Sequence, residues 1–317
     1  MSSFILEASN IVKSYANHVA LDDVSINIKE NSIFGMLGPN GAGKTSFIRI
    51  INQITAPDSG QILFNGSPLN KTHIYDIGYL PEERGLYKKM KIGEQSIYLA
   101  QLKGLSRQEA IKRLKYWFEK FEITGWWNKR VEELSKGMQQ KVQFIITVIH
   151  NPKFLIFDEP FSGFDPINVN MLKEEILLLK KNGATIIFST HNMASVEEIC
   201  DEIVLLNKSK VILEGDVQEI KDRYKSNLFN IEINTPDFRI SQILPESYKL
   251  ISEEQDRNKT KLRIRIPNDV KANDLITLFI GKADIHSFNE ILPTMNEVFI
   301  SSIKCRSSSK IYQRGNE

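Results

Sequence analysis

Eight consecutive residues carry the clearest chemistry in the sequence: Gly38-Pro39-Asn40-Gly41-Ala42-Gly43-Lys44-Thr45. They fit the pattern G-x-x-x-x-G-K-[ST] and directly follow a short apolar run, Ile33 to Leu37, that reads as a strand. Glycines let the backbone curl with its N–H groups pointing inward. The start of a following helix adds partial positive charge, so such a loop suits phosphate. Lys44 offers a full positive charge to the β- and γ-phosphates of a nucleoside triphosphate, and the Thr45 hydroxyl can bind Mg²⁺. Ser46 follows and closes the candidate nucleotide-binding stretch.

A second constellation is Phe154-Leu155-Ile156-Phe157-Asp158-Glu159. An apolar strand that ends in two carboxylates puts them at the carboxyl edge of a sheet, where ligands sit in open α/β folds. There Asp158 can hold Mg²⁺ through water, and Glu159 can orient or deprotonate an attacking water. A third is Leu134-Ser135-Lys136-Gly137-Met138-Gln139-Gln140, which reads as a helix start with Ser135 as its cap. Its place shortly before the Asp158 strand resembles the L-S-G-G-Q signature of the ATP-binding cassette (ABC) ATPases. Ser135 and Gly137 match; Lys136 stands for the first glycine of the pair and Met138 for the glutamine.

The other positions follow that resemblance one by one. Tyr15 occupies the place of the aromatic residue that stacks on adenine. Ser162-Gly163-Phe164-Asp165 is similar to S-G-L-D, with Phe for Leu, and makes Asp165 the residue that communicates across a dimer. His191, directly after the apolar run Ile186 to Thr190, takes the place of the histidine that contacts the γ-phosphate or the attacking water. After Gly78-Tyr79-Leu80-Pro81 the family usually has a glutamine that contacts Mg²⁺ or water and links to the helical insertion; here it is Glu82. A carboxylate can still bind Mg²⁺ but adds negative charge near the phosphates. Pro81 to Tyr87, and Leu292 to Ile300 near the far end, resemble a subgroup that includes the ATPase subunits of Nat-type sodium exporters.

The resemblance implies an ATPase that uses ATP and Mg²⁺. It also implies a head-to-tail homodimer, each ATP held between the phosphate loop of one subunit and the Ser135–Met138 segment of the other. The helical insertion would dock onto a multi-span membrane permease made as a separate chain, at the cytoplasmic face of the membrane. The alternative is an ABC-type ATPase that serves nucleic-acid or translation processes. Such chains carry a long coiled coil between the motifs or two cassettes in tandem, and Lys44 to His191 is one short cassette.

The elements that must position these residues are legible in outline. Val24 to Ile28 alternates apolar and polar, and Gln61 to Phe64 follows the turn Pro57 to Gly60; both read as strands. From about residue 82 to 150 the pattern turns helical. Ser106 and Glu109 have capping-box spacing ahead of an amphipathic helix over 106–121, and a second helix opens at Ser135. Apolar strands then alternate with helices: Phe154 to Phe157, Thr185 to Phe188, Ile203 to Leu206 and Val211 to Leu213, with a helix marked by Leu172, Ile176 and Leu179. That order predicts a parallel sheet covered on both faces. Past residue 225, Phe229 to Ile233 and Leu262 to Ile266 alternate cleanly, and Asp274 to Ile280 reads as helix.

The pattern predicts an α/β fold with a small α+β C-terminal domain, and the resemblance implies that its core is a P-loop ABC ATPase with an antiparallel β edge and an inserted helical subdomain. The expected limits are 1–224 for the nucleotide-binding domain, with the helical subdomain at about 82–150, then 225–303 for the accessory domain and 304–317 for a polar, frayed tail. Apolar residues make 41% and charged residues 25% of 317, the composition of an ordinary globular chain. The longest apolar runs, such as Phe144 to Ile149, are far short of the roughly 18 residues a membrane span needs. No signal peptide is visible at the start. A net charge of +2 gives no electrostatic case for nucleic acid as a partner. Two cysteines, Cys200 and Cys305, far apart, match no metal spacing and read as reduced thiols.

Overall fold

The computed structural model of the chain describes residues 3–83 and 85–303. Arg84, Cys305 and the tail expected to fray lie outside them. By internal contacts the chain forms two units, Met1–Val217 and Gln218–Glu317.

In the first unit, β1 (Phe4–Tyr15) and β2 (His18–Lys29) form a hairpin, followed by β3 (Ile33–Leu37), α1 (Lys44–Ile51), β4 (Ser59–Phe64), β5 (Ser67–Pro68) and β6 (Ile77–Leu80). Three helices come next, α2 (Ile92–Leu102), α3 (Arg107–Lys120) and α4 (Lys136–Val148). The core resumes with β7 (Phe154–Asp158), α5 (Pro166–Lys181), β8 (Thr185–Thr190), α6 (Met193–Ile199), β9 (Glu202–Asn207) and β10 (Lys210–Asp216), and the first residue of α7 (Val217–Arg223) ends the unit. The strands make an antiparallel sheet in the order β2-β1-β4-β5 and a six-stranded sheet in the order β10-β9-β3-β8-β7-β6. In the latter only β10 runs antiparallel to its neighbour.

The apolar strands are the central ones. All five residues of β3, all five of β7 and all six of β8 are buried, which is what a sheet covered on both faces requires. Strands β6 and β7 are parallel neighbours, so the three helices between them form an insertion at one crossover. The insertion is tied to β7 by rings: Phe144 of α4 lies 5.7 Å from Phe121, 6.3 Å from Trp117 and 5.5 Å from Phe157. Helix α3 starts where the sequence places it, but only half of the capping box forms. Ser106 Oγ accepts from the Glu109 N–H, whereas the Glu109 carboxylate turns to Arg113 Nε at 2.7 Å. A charged partner one turn along is a better match for that carboxylate than a neutral backbone N–H.

The second unit holds an antiparallel sheet in the order β12-β13-β11-β14, from β11 (Leu228–Asn234), β12 (Lys249–Asp256), β13 (Lys259–Arg265) and β14 (Ile285–Ile291). Phe229, Ile231 and Ile233 of β11 and Leu262 and Ile264 of β13 alternate inward onto α8 (Ala272–Thr277), with Leu275 and Phe279 in the same core. Residues 295–303 are helical.

Candidate functional site

Strand register brings the chemical residues to one edge. Leu37 of β3 pairs with Thr190 of β8, Asp158 of β7 pairs with Ser189 of β8, and Leu80 of β6 pairs with Phe157 of β7. All four strands are parallel, so the phosphate loop, the two carboxylates, His191 and Glu82 leave the sheet at the same carboxyl edge.

The phosphate loop is shaped by close approach. Gly43 has φ +113°, and a Cβ there would stand 2.5 Å from the Ala20 carbonyl oxygen, so only glycine fits. Gly43 is also the N-cap of α1 and provides no side-chain cap, and the first turn of α1 carries no acidic residue. The N–H groups at that helix start are thus left for an anion. Lys44 is 7% exposed, and its Nζ donates to the carbonyls of Gly38 at 2.7 Å and Pro39 at 3.2 Å. Burial pulls its pKa below the ordinary lysine value, against the raising pull of Glu159, Asp158 and Glu82.

A cavity of about 360 Å³ lies over this loop, lined by Tyr15, Asn40 to Ser46, Glu82, Asp158 and Glu159. His18 and Ala20 line it too, and the sequence reading missed both. The only signal for them is nearness to Tyr15 in the β1–β2 hairpin. Tyr15 has a half-exposed ring with the Lys13 ammonium 5.4 Å from its centroid, and Lys13 is held by Asp58 at 2.7 Å. Such a ring is free to stack on a base. The Asp158 carboxyl is pushed up to about 6, first by burial and then by the charges of Glu82 and Glu159, with the Ser189 hydroxyl and, more weakly, Lys44 opposing. Three carboxylates against one lysine make this cavity attractive to a cation.

Glu159 sits just beyond β7 with φ +49°, a left-handed backbone that costs energy for a non-glycine residue. The end of β8 holds it there. The Glu159 N–H donates to the Ser189 carbonyl at 2.9 Å. Its Oε2 accepts from Thr190 Oγ1 at 3.1 Å, and its Oε1 accepts from the His191 N–H at 2.9 Å and lies 2.6 Å from His191 Nδ1. The sequence reading brought His191 here but missed Thr190.

The Ser135–Met138 segment does not line the cavity. Ser135 Oγ caps α4 by accepting from the Met138 N–H at 3.2 Å. Gly137 backs onto the loop before α5, where a Cβ would meet the Gly163 carbonyl at 3.0 Å. Gln140 Nε2 donates to the Pro160 carbonyl at 3.3 Å, which ties α4 to the turn after Glu159. Asp165 caps α5 by accepting from the Asn168 N–H at 3.0 Å, and those Asn168 donors lower its pKa. Lys136 occupies the first position of α4.

Fold and site together define a P-loop ATPase of the cassette type, and the comparisons agree. Residues 21–162 match the family model described as ABC transporter, and residues 215–303 match the model described as ATP-binding protein DrrA1-3-like, C-terminal domain. The chain is 40% identical over 299 residues to the uncharacterized ABC transporter ATP-binding protein YhaQ of Bacillus subtilis, covering 94% of this chain and 98% of that one. It is 35% identical over 215 residues to the ABC transporter ATP-binding protein NatA of the same organism, covering 67% and 87%. Among solved structures, an ATP binding subunit of an ABC transporter superposes with a TM-score of 0.65 at 31% identity, covering 69% of this chain and 93% of that one. The chain belongs to the ABC transporter ATP-binding family. It is the ATP-binding subunit of an ABC transporter, and an ATPase. No helix among the described residues is long and apolar enough to cross a membrane.

Proposed function

We propose that the chain is a Mg²⁺-dependent ATPase that drives an exporter whose permease is a separate membrane chain, and that it works as a head-to-tail homodimer at the cytoplasmic face of the membrane. The single observation that carries this reading is the convergence of Lys44, Asp158, Glu159 and Glu82 on one sheet edge, around a cavity that Tyr15 also lines, with His191 against Glu159. The export direction rests on the likeness of Pro81 to Tyr87 and Leu292 to Ile300 to the subgroup that includes Nat-type sodium exporters.

The donor set fits Mg²⁺. Thr45, Asp158 and Glu82 line one cavity and offer only oxygen. Among the described residues no three acidic, histidine or cysteine side chains are grouped closely enough to hold a metal by themselves. That suits an ion which keeps water and phosphate oxygens in its shell and takes one or two protein ligands. When bound, Mg²⁺ supplies positive charge to the β- and γ-phosphate oxygens.

The chain's own residues do the rest. Tyr15 stacks on the adenine. Lys44 exchanges its loop carbonyls for phosphate oxygens, and the N–H groups of Gly41 to Thr45 hold the remaining charge. Glu159 Oε1 takes a proton from water as the water oxygen bonds to the γ-phosphorus. The bond between that phosphorus and the β–γ bridging oxygen breaks, and ADP leaves with its electron pair. His191 contacts the γ-phosphate side. Ser135 to Met138 of one subunit offer a helix start to the ATP of the other, and Asp165 links the two sites.

The test is MgATP hydrolysis by the purified protein beside its Glu159→Gln variant. Turnover should drop by roughly 10²-fold or more, and the variant should run as a dimer in sizing columns with MgATP. Wild-type turnover in the variant refutes the base. A pull-down of that variant from solubilised membranes should bring a multi-span protein in stoichiometric amount; recovery of only water-soluble partners favours the nucleic-acid or translation alternative.

A further inference from the structure

Thr190 is the one buried hydroxyl described at the site with a bond to the proposed base and no assigned task. It is 2% exposed and ends β8. Its Oγ1 accepts from the Asn192 N–H at 3.1 Å, so the single hydroxyl proton is left to point at Glu159 Oε2, also at 3.1 Å. Asn192 is itself fixed, because its Oδ1 accepts from the N–H groups of Ala194 and Ser195 as the cap of α6. A relay of fixed bonds therefore runs from the α6 cap through Thr190 to one oxygen of Glu159.

The other oxygen is held differently. Oε1 accepts from the His191 N–H at 2.9 Å and lies 2.6 Å from Nδ1 of the His191 ring, and that ring is 72% exposed, so water or substrate can displace the ring from it. Oε2 has a buried partner with which water cannot compete. We infer that Thr190 is a positioning residue: it anchors Oε2, so that Oε1 is the oxygen presented to the attacking water. The inference rests on the reading of Glu159 as the base.

A carboxylate held at both oxygens keeps a single orientation about its terminal torsion, which is otherwise broad and two-fold. Losing the Thr190 bond leaves it held at Oε1 alone, the oxygen that must face the water, so the group can turn away from the water while the phosphate loop stays untouched. The cost then falls on the chemical step and not on nucleotide binding.

The experiment compares steady-state MgATP hydrolysis of wild type, Thr190→Val, Thr190→Ser, Glu159→Gln and the Thr190→Val/Glu159→Gln pair. Thr190→Ala removes the same hydroxyl with less bulk and serves where the valine variant folds poorly. Removal of the hydroxyl should lower kcat about tenfold, the scale of a hydrogen bond to a charged group, with KM for ATP held within about twofold. Thr190→Ser should stay within about twofold of wild type, because the hydroxyl is kept. In the Glu159→Gln background the valine should add less than about twofold, since Thr190 acts only through Glu159. Three results overturn the inference alone: wild-type kcat in both hydroxyl-free variants, equal losses in Ser and Val, or a full further loss in the Gln background. Wild-type turnover in Glu159→Gln instead removes the base assignment, and the position of Thr190 loses its purpose with it.

Discussion

Asp158 pays for its place in the site, and Asp158→Asn should make the cost visible as extra stability. The side chain is 2% exposed, and its pKa is raised from 3.8 to about 6 by burial and by the carboxylates of Glu82 and Glu159. Between these values the folded chain binds a proton that the unfolded chain does not. The contribution of Asp158 to stability is therefore neutral well below the unfolded value. It turns unfavourable as pH rises through the window between 3.8 and about 6, and the penalty is complete above it. The shift corresponds to about 3 kcal/mol. The amide still has to be buried and forgoes the attraction of Lys44, so about 1–2 kcal/mol should survive the substitution. For a unit the size of Met1–Val217 that is a rise in Tm of about 3–6 °C. Thermal unfolding with EDTA and without nucleotide should show this gap at pH 7.5, and the gap should close as the pH is taken below 5. With MgATP the order should invert, because wild type gains binding energy that the amide variant lacks. An Asn variant less stable than wild type at pH 7.5, or a gap that ignores pH, refutes the reasoning.

Three further outcomes are expected. Lys44→Ala should abolish nucleotide binding in a titration with a fluorescent ATP analogue, while the melt stays cooperative; undiminished binding would contradict the role of the loop. Gly43→Ala should lose roughly 2–4 kcal/mol, because alanine at that positive φ meets the Ala20 carbonyl, and a melt matching wild type would show that the loop shifts freely. Glu82→Gln removes one of three carboxylates from the cavity. Its ATPase activity should need more Mg²⁺ for half-saturation, and curves that superpose on wild type would discard a metal role for Glu82.

What the sequence reveals depends on how local the physics is. The phosphate loop is legible because its chemistry demands glycines at fixed spacing after a strand, and the central strands β3, β7 and β8 are legible because burial on both faces leaves them wholly apolar. Strand β1 is not legible: four register shifts against β2 and a left-handed Asn10 break its alternation. Strand β6 has only four residues, one of them glycine, and reads as a loop. Strand β12 is mostly exposed, so its apolar alternation is weak. The bond from Thr190 to Glu159 joins residues 31 apart and exists only because β7 and β8 lie side by side. A resemblance names Glu159 and His191, but only register says which hydroxyl holds the carboxylate.

Four of the groups named for this chemistry have partners within the chain: Lys44 on two loop carbonyls, Glu159 on the end of β8, Ser135 and Asp165 on their own helix starts. Binding is therefore an exchange of partners, and its sign turns on what the newcomer offers. A polyphosphate entering alone brings negative charge to a cavity where three carboxylates oppose one lysine. In the proposed Mg²⁺-dependent reaction, a divalent ion entering with the polyphosphate would ease that repulsion, because Asp158 and Glu82 would then have a cation to face. On the proposed Mg²⁺-dependent reading, this layout of charge would favour the metal complex over the free nucleotide. The three carboxylates come from two strand ends, Glu82 after β6 and Asp158 with Glu159 at the end of β7, and these strands are parallel neighbours. The register that sets the fold is in this sense also the device that sets the charge.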